Sequence, residues 1–210
     1  MEIYITNTSA LLTQAGESQL YNSLPDFRKK AADSCKTPKD RERSLSAGAL
    51  LLFCMKKAGV PLEETPCYNE NGKIYFPHRD RFYVNLSHSG DYAACAFDSR
   101  EIGIDIEKIR QYKENIAKRI CLEEEMQALL AIKKEEEKDS AFTRLWTRKE
   151  SAVKLSGEGI AGLLQVREVF LDNFYTKTYT PVQDYFLSVS SRGNDFPKEV
   201  ILLSPEFPGQ

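Results

Sequence analysis

Two carboxylates at the middle of the chain have a spacing that suits chemistry on a strand. In Gly103-Ile104-Asp105-Ile106-Glu107 the acids alternate with β-branched residues. Side chains alternate across a strand, so Asp105 and Glu107 are expected on one face and the isoleucines on the buried face. At about 6.6 Å between their Cα atoms, the two charges repel by about 2.5 kcal/mol at an effective dielectric of about 20. A hard cation such as Mg²⁺ would turn this repulsion into attraction, whereas the simpler alternative is two acids that face water.

A second group of charged residues follows on a predicted helix. Glu150 and Lys154 are four residues apart and therefore neighbours on one helix face, while Lys149 lies about 100° away from Glu150. Alone, this pattern is typical of a surface ion pair worth about 0.3–0.5 kcal/mol. Beside two further acids it suits a metal-bound diphosphate, because carboxylates hold the cation while lysines hold phosphate oxygens.

A third group, Asn85 to Gly90, combines hydroxyls, an imidazole and backbone amides where a predicted strand meets a turn. A Ser–His nucleophilic pair is one interpretation of Ser87, His88 and Ser89. Adjacent side chains on a strand point to opposite faces, however, and no G-x-S-x-G motif is present. The pattern therefore favours phosphate binding. His78, the other histidine, is expected in an exposed loop.

Composition excludes several classes of function. The 29 basic and 31 acidic residues nearly cancel, so no global field attracts nucleic acid. The five cysteines lack C-x-x-C spacing, which predicts reduced thiols in a cytoplasmic protein and no zinc site. No secretion signal is visible, and no apolar run approaches the roughly 18 residues of a membrane span.

Two long amphipathic helices are predicted, each followed by strands. The first begins at the capping sequence Thr37-Pro38-Lys39-Asp40 and ends near Gly59, and the second contains Phe142 to Val153 and ends by Gly157. Basic residues 28–30 are expected on a solvated helix face, and the charged run 135–138 in a solvated turn. The sole tryptophan, Trp146, is predicted to be a core anchor.

The predicted strands fall in two groups, and the fold class is therefore α+β. In the first half, turn residues separate strands that predict an antiparallel meander, with the Asp105 strand third. Further strands are expected near both ends of the chain. The predicted strands are 3–6, 73–76, 83–87, 92–97, 101–109, 166–171, 185–189 and 200–203.

In combination, the three groups resemble a known family. The sequence N-L-S-H-S-G at 85–90, then G-I-D-I-E at 103–107, then W-x-x-K-E-S-x-x-K at 146–154 is similar to the 4′-phosphopantetheinyl transferases, and most similar to the surfactin-synthetase type. The resemblance is strong from residue 73 to 159 and weaker at both ends. It implies transfer of phosphopantetheine from coenzyme A to a serine of an apo acyl or peptidyl carrier protein, with release of adenosine 3′,5′-bisphosphate.

The resemblance also implies an architecture. A monomer of two similar subdomains, 1–100 and 101–210, is expected in a pseudo-two-fold arrangement. Each would be a helix packed on a small, mainly antiparallel sheet, with coenzyme A in the cleft between them. Neither nucleic acid nor a membrane is an expected partner.

The site residues are carried over by matching motifs. Asp105, Glu107 and Glu150 would hold Mg²⁺ on the diphosphate, with Glu150 as the leading candidate for general base. Asp105, Glu150 and Lys154 make up the expected catalytic set. The residues expected to bind coenzyme A are Arg43, Lys73, Ser87, His88, Lys149 and Lys154. Arg28 or Lys30 is a candidate for a further phosphate contact.

Two alternatives remain open on the residues alone. In a metal-dependent phosphohydrolase acting on a nucleotide-type diphosphate, water would replace the serine. In an inactive module, the fold would bind carrier proteins without catalysis. The choice of carrier protein is not encoded in these motifs.

Overall fold

The computed structural model describes residues 1–159 and 174–207. Within these ranges the helices are α1 (Thr8–Ala15), α2 (Glu17–Ser23), α3 (Asp26–Asp33), α4 (Pro38–Lys57), α5 (Glu114–Ile120), α6 (Glu123–Ala131) and α7 (Glu135–Ser156). The strands are β1 (Glu2–Asn7), β2 (Cys67–Tyr68), β3 (Ile74–Tyr75), β4 (Tyr83–Ser89), β5 (Tyr92–Asp98), β6 (Ile102–Lys108), β7 (Tyr175–Tyr179), β8 (Tyr185–Ser191) and β9 (Ile201–Leu202). The predicted α+β class is confirmed.

Helix α4 begins where its capping sequence predicts. The Thr37 hydroxyl accepts the backbone N–H of Asp40 at 3.1 Å, and Pro38 occupies the first turn, where its missing N–H costs nothing. The apolar side of the helix, including Leu45, Leu50 and Cys54, is fully buried against the first sheet. This helix therefore forms one wall of the N-terminal core.

The first sheet has the strand order β4-β5-β1-β9. Strands β4 and β5 form an antiparallel hairpin, β5 pairs antiparallel with β1, and β9 adds a short parallel edge. Both faces of this sheet are buried: Tyr4 and Cys95 pack towards α4, whereas Ile3, Ile5 and Ala94 pack towards the second sheet. The C-terminal strand thus returns to the sheet in which the chain began. The predicted subdomain boundary at residues 100/101 stays a prediction.

The second sheet has the order β6-β8-β7, with antiparallel pairing throughout. Helix α7 covers it at very close range where β6 begins. A Cβ on Gly103 would overlap the backbone carbonyl of Ser151 and the backbone nitrogen of Leu155, so only glycine fits there. This contact brings the last turns of α7 against the strand that carries Asp105.

Strand β6 meets the first sheet through side chains instead of a backbone ladder. The backbone N–H groups of residues 104, 106 and 108 donate to the side-chain oxygens of Asn85, Ser87 and Ser89 at 2.9, 3.2 and 3.3 Å. Because these three acceptors alternate along β4, they all face β6. We refer to this row of contacts as the seam.

The seam explains why the predicted meander is wrong at its third strand. The link 98–100 carries the chain out of the first sheet, and β6 pairs with β8, far along the sequence. Polar side chains of β4 already satisfy the free edge of β6, so no ladder forms there.

Other local predictions fared differently. The run 135–138 is mostly the first turn of α7, because its acids favour a helix N-terminus. The N-terminal helical segment is divided at Gly16, whose φ of 76° separates α1 from α2. Strand β7 was missed, and the predicted strand 166–171 lies outside the described residues.

No disulfide joins the five cysteines, all of which are described. Among the described helices, none is long and apolar enough to cross a membrane.

Candidate functional site

A cleft of about 610 Å³ lies where β4, β6, α3, α4 and α7 meet. One end carries carboxylates from β6 and α7, and the other carries basic groups from α3 and β4. Its lining residues are Arg28, Ala31, Cys35, Asp40, Ser44, Ala47, Leu86, Ser87, His88, Asp105, Glu107, Trp146, Glu150 and Lys154. We refer to the two parts as the carboxylate end and the basic end.

Asp105 is the most buried acid of the carboxylate end, at 4% exposed. Its Oδ1 accepts hydrogen bonds from the Ser87 hydroxyl at 2.9 Å and the Lys154 ammonium at 2.7 Å. Burial nevertheless raises the pKa of Asp105, because desolvation outweighs these two contacts. Its Oδ2 is buried without a hydrogen-bond partner among the described residues. A buried carboxylate oxygen of this kind is suited to a cation.

Glu107 lies two residues further along the same face of β6. Its Oε2 accepts the Ser89 hydroxyl at 2.7 Å, and its Oε1 is 3.8 Å from the Arg110 guanidinium. Burial, together with the negative charge of Asp105, raises the pKa of Glu107. The seam serines therefore both join the sheets and orient the two acids of β6.

Glu150 reaches the same end from α7. Burial raises its pKa to about 7, and the negative charges of Asp105 and Glu107 add to the effect. Lys154, one turn later on the same face, lowers it. The three carboxylates thus influence one another strongly, although no three His, Cys, Asp or Glu side chains of the described residues are close enough to enclose a metal ion unaided.

The basic end contains a residue that the sequence assigned to solvent. Arg28 is only 9% exposed and donates from Nη2 to the Ser44 carbonyl at 2.8 Å, while its Nε has no hydrogen-bond partner within the described part of the chain. The prediction of a solvated helix face is therefore wrong for Arg28. The signal in the sequence is slight: Ala32, one turn later on the same face of α3, is apolar and buried, but the residues next to Arg28 include two lysines.

His88 faces the open part of the basic end. Desolvation by the surrounding protein and the positive charges of Arg43 and Lys154 lower the pKa of His88. The ring is therefore neutral near pH 7 in the free protein. An anionic ligand would reverse this balance.

A smaller cavity of about 250 Å³ adjoins the cleft across Leu86, Glu150 and Lys154. Lys73 lines it and donates from its ammonium to the Leu155 carbonyl. Burial lowers the pKa of Lys73. The structure therefore brings Lys73 beside the cleft, separated from the basic end by Lys154.

Two residues of the predicted binding set line neither the cleft nor the adjoining cavity. Lys149 is 2% exposed, and its ammonium lies 2.9 Å from Glu125 of α6, because its rotation from Glu150 directs it away from β6. Arg43 lies behind the basic end, with Nη2 at 2.6 Å from Asp40 and Nη1 at 3.3 Å from the Gly90 carbonyl.

Ser87 lines the cleft, but at the carboxylate end. Its single hydroxyl proton goes to Asp105, and its oxygen accepts from Ile106 N–H and Lys154. Such a hydroxyl has no proton left for a phosphate oxygen. The geometry thus links Ser87 to the acids of β6 and separates it from His88.

The tryptophan packs against the core cluster around Phe142, as predicted, and it also borders the cleft. Trp146 is partly exposed and lines the cleft, with the Arg110 guanidinium 4.3 Å from the centre of its ring. Its other neighbours include Phe142, at 6.4 Å between ring centres. Trp146 therefore forms a cleft wall beside the carboxylate end.

Comparison with known proteins identifies a family and several relatives. The 4′-phosphopantetheinyl transferase superfamily profile matches residues 101–198. The 4′-phosphopantetheinyl transferase Sfp of Bacillus subtilis (strain 168) is 36% identical over 151 residues, covering 65% of this chain and 67% of that protein. Transferase psf-1 of Bacillus pumilus is 32% identical over 166 residues, covering 77% and 71%. A further Bacillus subtilis transferase is 29% identical over 212 residues, covering 93% and 94%.

Proposed function

This chain belongs to the 4′-phosphopantetheinyl transferase superfamily, and we propose that it transfers the 4′-phosphopantetheine group of coenzyme A to a serine of an apo carrier protein. Adenosine 3′,5′-bisphosphate is the second product. One observation carries this proposal: a single cleft has three interacting carboxylates at one end and a buried arginine with a histidine at the other. Coenzyme A has a diphosphate, which would bind at the carboxylate end, and a separate 3′-phosphate, which would bind at the basic end.

The carboxylate end is the proposed Mg²⁺ site, with Asp105, Glu107 and Glu150 as its protein ligands. The unpartnered Oδ2 of Asp105 and the mutual repulsion among the three acids support this assignment. Mg²⁺ commonly takes few carboxylates and completes its shell with water and substrate phosphate, so an open arrangement suits it. When bound, the metal neutralises negative charge that develops on the diphosphate.

Glu150 is the proposed general base. A pKa of about 7 leaves the carboxylate able to accept a proton near neutral pH, where general bases are most effective. It would take the proton of the carrier serine as the serine oxygen attacks the phosphorus next to pantetheine. The bond from that phosphorus to the bridging oxygen then breaks, and the pair of electrons leaves with adenosine 3′,5′-bisphosphate.

Lys154, Lys73 and His88 are the proposed contacts of coenzyme A. Lys154 lies between the two cavities, so its ammonium can serve the diphosphate while it also pairs with Asp105. Lys73 is proposed for the adjoining nucleotide region. His88 and Arg28 are proposed for the 3′-phosphate, with Arg43 behind them. Lys149 and Ser87 have no direct phosphate contact in this proposal.

Two further points belong to the proposal. A monomeric enzyme is proposed because the family resemblance implies it, and sedimentation with and without coenzyme A measures this. A cytoplasmic location is proposed because the cysteines, without C-x-x-C spacing or a disulfide, suit a reducing compartment.

The deciding experiment measures product formation from coenzyme A by mass spectrometry, with and without an apo carrier protein. We expect the carrier to gain one phosphopantetheine group only when Mg²⁺ is present, and EDTA to abolish the gain reversibly. Glu150→Gln should remove activity, whereas Glu137→Gln, an exposed position on the same helix, should not. Adenosine 3′,5′-bisphosphate released without a carrier would indicate a phosphohydrolase. Carrier binding without any product would indicate an inactive module, and full activity in EDTA would reject the metal site.

A further inference from the structure

One acid lies at the end of the cleft that is otherwise basic. Asp40 lines the cleft together with Arg28 and His88. Its Oδ1 is 2.6 Å from Nη2 of Arg43, and its Oδ2 accepts the Thr37 hydroxyl at 2.7 Å. These two hydrogen bonds lower the pKa of Asp40, so its carboxylate is ionised. An anion of the protein therefore occupies this end of the cleft.

Asp40 interacts with the same positively charged groups that would bind a phosphate. Among residues 1–159 and 174–207, the Arg43 guanidinium contacts only the Gly90 carbonyl, at 3.3 Å, besides Asp40, and its buried Nε has no hydrogen-bond partner there. A protonated His88 would further stabilise the Asp40 carboxylate. Arg43 itself does not line the cleft and is reached from it through Asp40. A doubly charged phosphate near His88 would therefore be repelled by Asp40 and would have to displace this carboxylate to contact Arg43.

Building on the proposed function, we propose that Asp40 competes with the 3′-phosphate of coenzyme A for Arg43 and thereby keeps product release fast. Substrate and product carry the same 3′-phosphate, so this contact strengthens both complexes equally. Uniform binding of this kind lowers the KM without raising the rate of the chemical step. A carboxylate that weakens the contact with the 3′-phosphate therefore speeds the release of adenosine 3′,5′-bisphosphate.

The test measures binding of three ligands by calorimetry: coenzyme A, 3′-dephospho-coenzyme A and adenosine 3′,5′-bisphosphate. Asp40→Asn removes the charge and keeps the shape of the side chain. We expect it to tighten both ligands with a 3′-phosphate about three- to tenfold, since one nearby like charge is removed in a partly screened site. Binding of 3′-dephospho-coenzyme A should not change. In stopped-flow displacement, the product should leave more slowly by a similar factor.

Glu42→Gln is the matched control. This acid lies two residues along α4, but its carboxylate contacts Thr8, Ser9 and Lys39 and does not line the cleft. The Glu42→Gln substitution removes one negative charge from the same helix, so a general electrostatic effect would appear in both variants. A second variant, Arg43→Met, should abolish most of the tightening by Asp40→Asn, because the contested cation is gone.

Several outcomes overturn the inference. Weaker coenzyme A binding by Asp40→Asn would mean that Asp40 positions Arg43 for the phosphate. Equal tightening of all three ligands, or the same tightening by Glu42→Gln, would remove the link to the 3′-phosphate. Formation of holo carrier protein by the wild type tests the proposed function separately. If Asp40→Asn still forms holo carrier protein but binds coenzyme A no more tightly, only the inference fails.

Discussion

The two ends of the cleft are built in opposite ways. The carboxylate end comes from two short sequences, β6 and the last turns of α7, which meet at Gly103, and the seam fixes β6 to β4. The basic end is collected from α3, the start of α4 and the end of β4, with an acid among its cations. The first is drawn from two segments in close backbone contact, whereas the second is drawn from three segments and has an acid that balances its positive charge. We therefore expect the chemical step, which needs fixed geometry, at the carboxylate end. We expect the basic end to set the affinity for the ligand.

The largest expected effect comes from Asp105→Asn at the carboxylate end. This change removes the partner of Lys154 and a proposed metal ligand, so the rate of transfer should fall about 1,000-fold, equivalent to about 4 kcal/mol. Asp98→Asn is the matched control: Asp98 is also a buried strand aspartate, but it pairs with the N-terminal ammonium at 3.3 Å, outside the cleft. It should lower the melting temperature and spare the rate. Comparable rate losses in the two variants would contradict the role of Asp105.

Gly103→Ala should disturb the carboxylate end and leave the basic end intact. The added methyl group collides with the α7 backbone, which cannot move as a flexible side chain would, so the free energy of unfolding should fall by about 3 kcal/mol. Gly59→Ala is the control, with open space around it and only the cost of a positive φ, about 1 kcal/mol. Denaturant unfolding measures both. Equal losses would show that the contact between α7 and β6 is not critical.

In the folded fraction, the same variant should distinguish the ends functionally. Moving α7 displaces Glu150 and Lys154 but leaves α3 and β4 in place. The rate should therefore fall while adenosine 3′,5′-bisphosphate, which has the 3′-phosphate but no pantetheine, still binds. Loss of both in equal measure would mean that the ends are not independent.

The same contrast explains what the sequence could predict. Alternation along β6 places Asp105 and Glu107 on one face, and the capping residues of α4 fix its start, because both depend on local periodicity and local hydrogen bonds. Arg28 appears within a basic, polar stretch, and only the packing of α3 on α4 buries it. The sheet to which β6 belongs depends on pairing with β8, a distant segment that local patterns do not encode.

Lys149 shows a related limit. Its motif contains two lysines and a glutamate. Successive residues of a helix are rotated by about 100°, so one motif can place side chains on two faces of the helix. Lys154 faces Asp105, whereas Lys149 faces Glu125 of α6. Helix geometry separates the two lysines, but only the position of α6 shows what Lys149 contacts.

At the basic end, His88→Ala should weaken coenzyme A binding without changing the binding of 3′-dephospho-coenzyme A. A charge-assisted hydrogen bond contributes about 1.5–3 kcal/mol, a factor of roughly ten to 150. His78→Ala, at the other histidine, which is exposed outside the cleft, is the control. Calorimetry with both ligands decides the matter, and equal losses for the two would assign His88 a purely structural role.

The pH dependence sharpens this prediction. The pKa of His88 is lowered in the free protein and should rise when a phosphate binds, so binding takes up a proton between the two values. Coenzyme A affinity should therefore be greatest at low pH and fall as the pH rises through the pKa of the complex. Calorimetry in buffers of different ionisation enthalpy measures the proton uptake, which His88→Ala should remove.

The smallest expected effect is at the seam, where Ser89→Ala removes the hydroxyl that donates to Glu107 at 2.7 Å and accepts from Lys108 N–H. A lost hydrogen bond of this kind costs about 1 kcal/mol, so the rate should fall about fivefold. The affinity for coenzyme A should not change, because Ser89 does not line the cleft. Ser89→Thr keeps the hydroxyl and should restore the rate.

The role of Ser89 in orienting Glu107 is distinguished from simple loss of structure by two further measurements. Calorimetric titration with Mg²⁺ should show weaker binding by Ser89→Ala, whereas Ser99→Ala, whose hydroxyl approaches only Asp98, should match the wild type. In a Glu107→Gln background, Ser89→Ala should cost less than it does alone, because the carboxylate that it orients is already gone. Strictly additive losses would instead mean that Ser89 only joins the two sheets, and the seam would then be a structural junction without influence on the acids of β6.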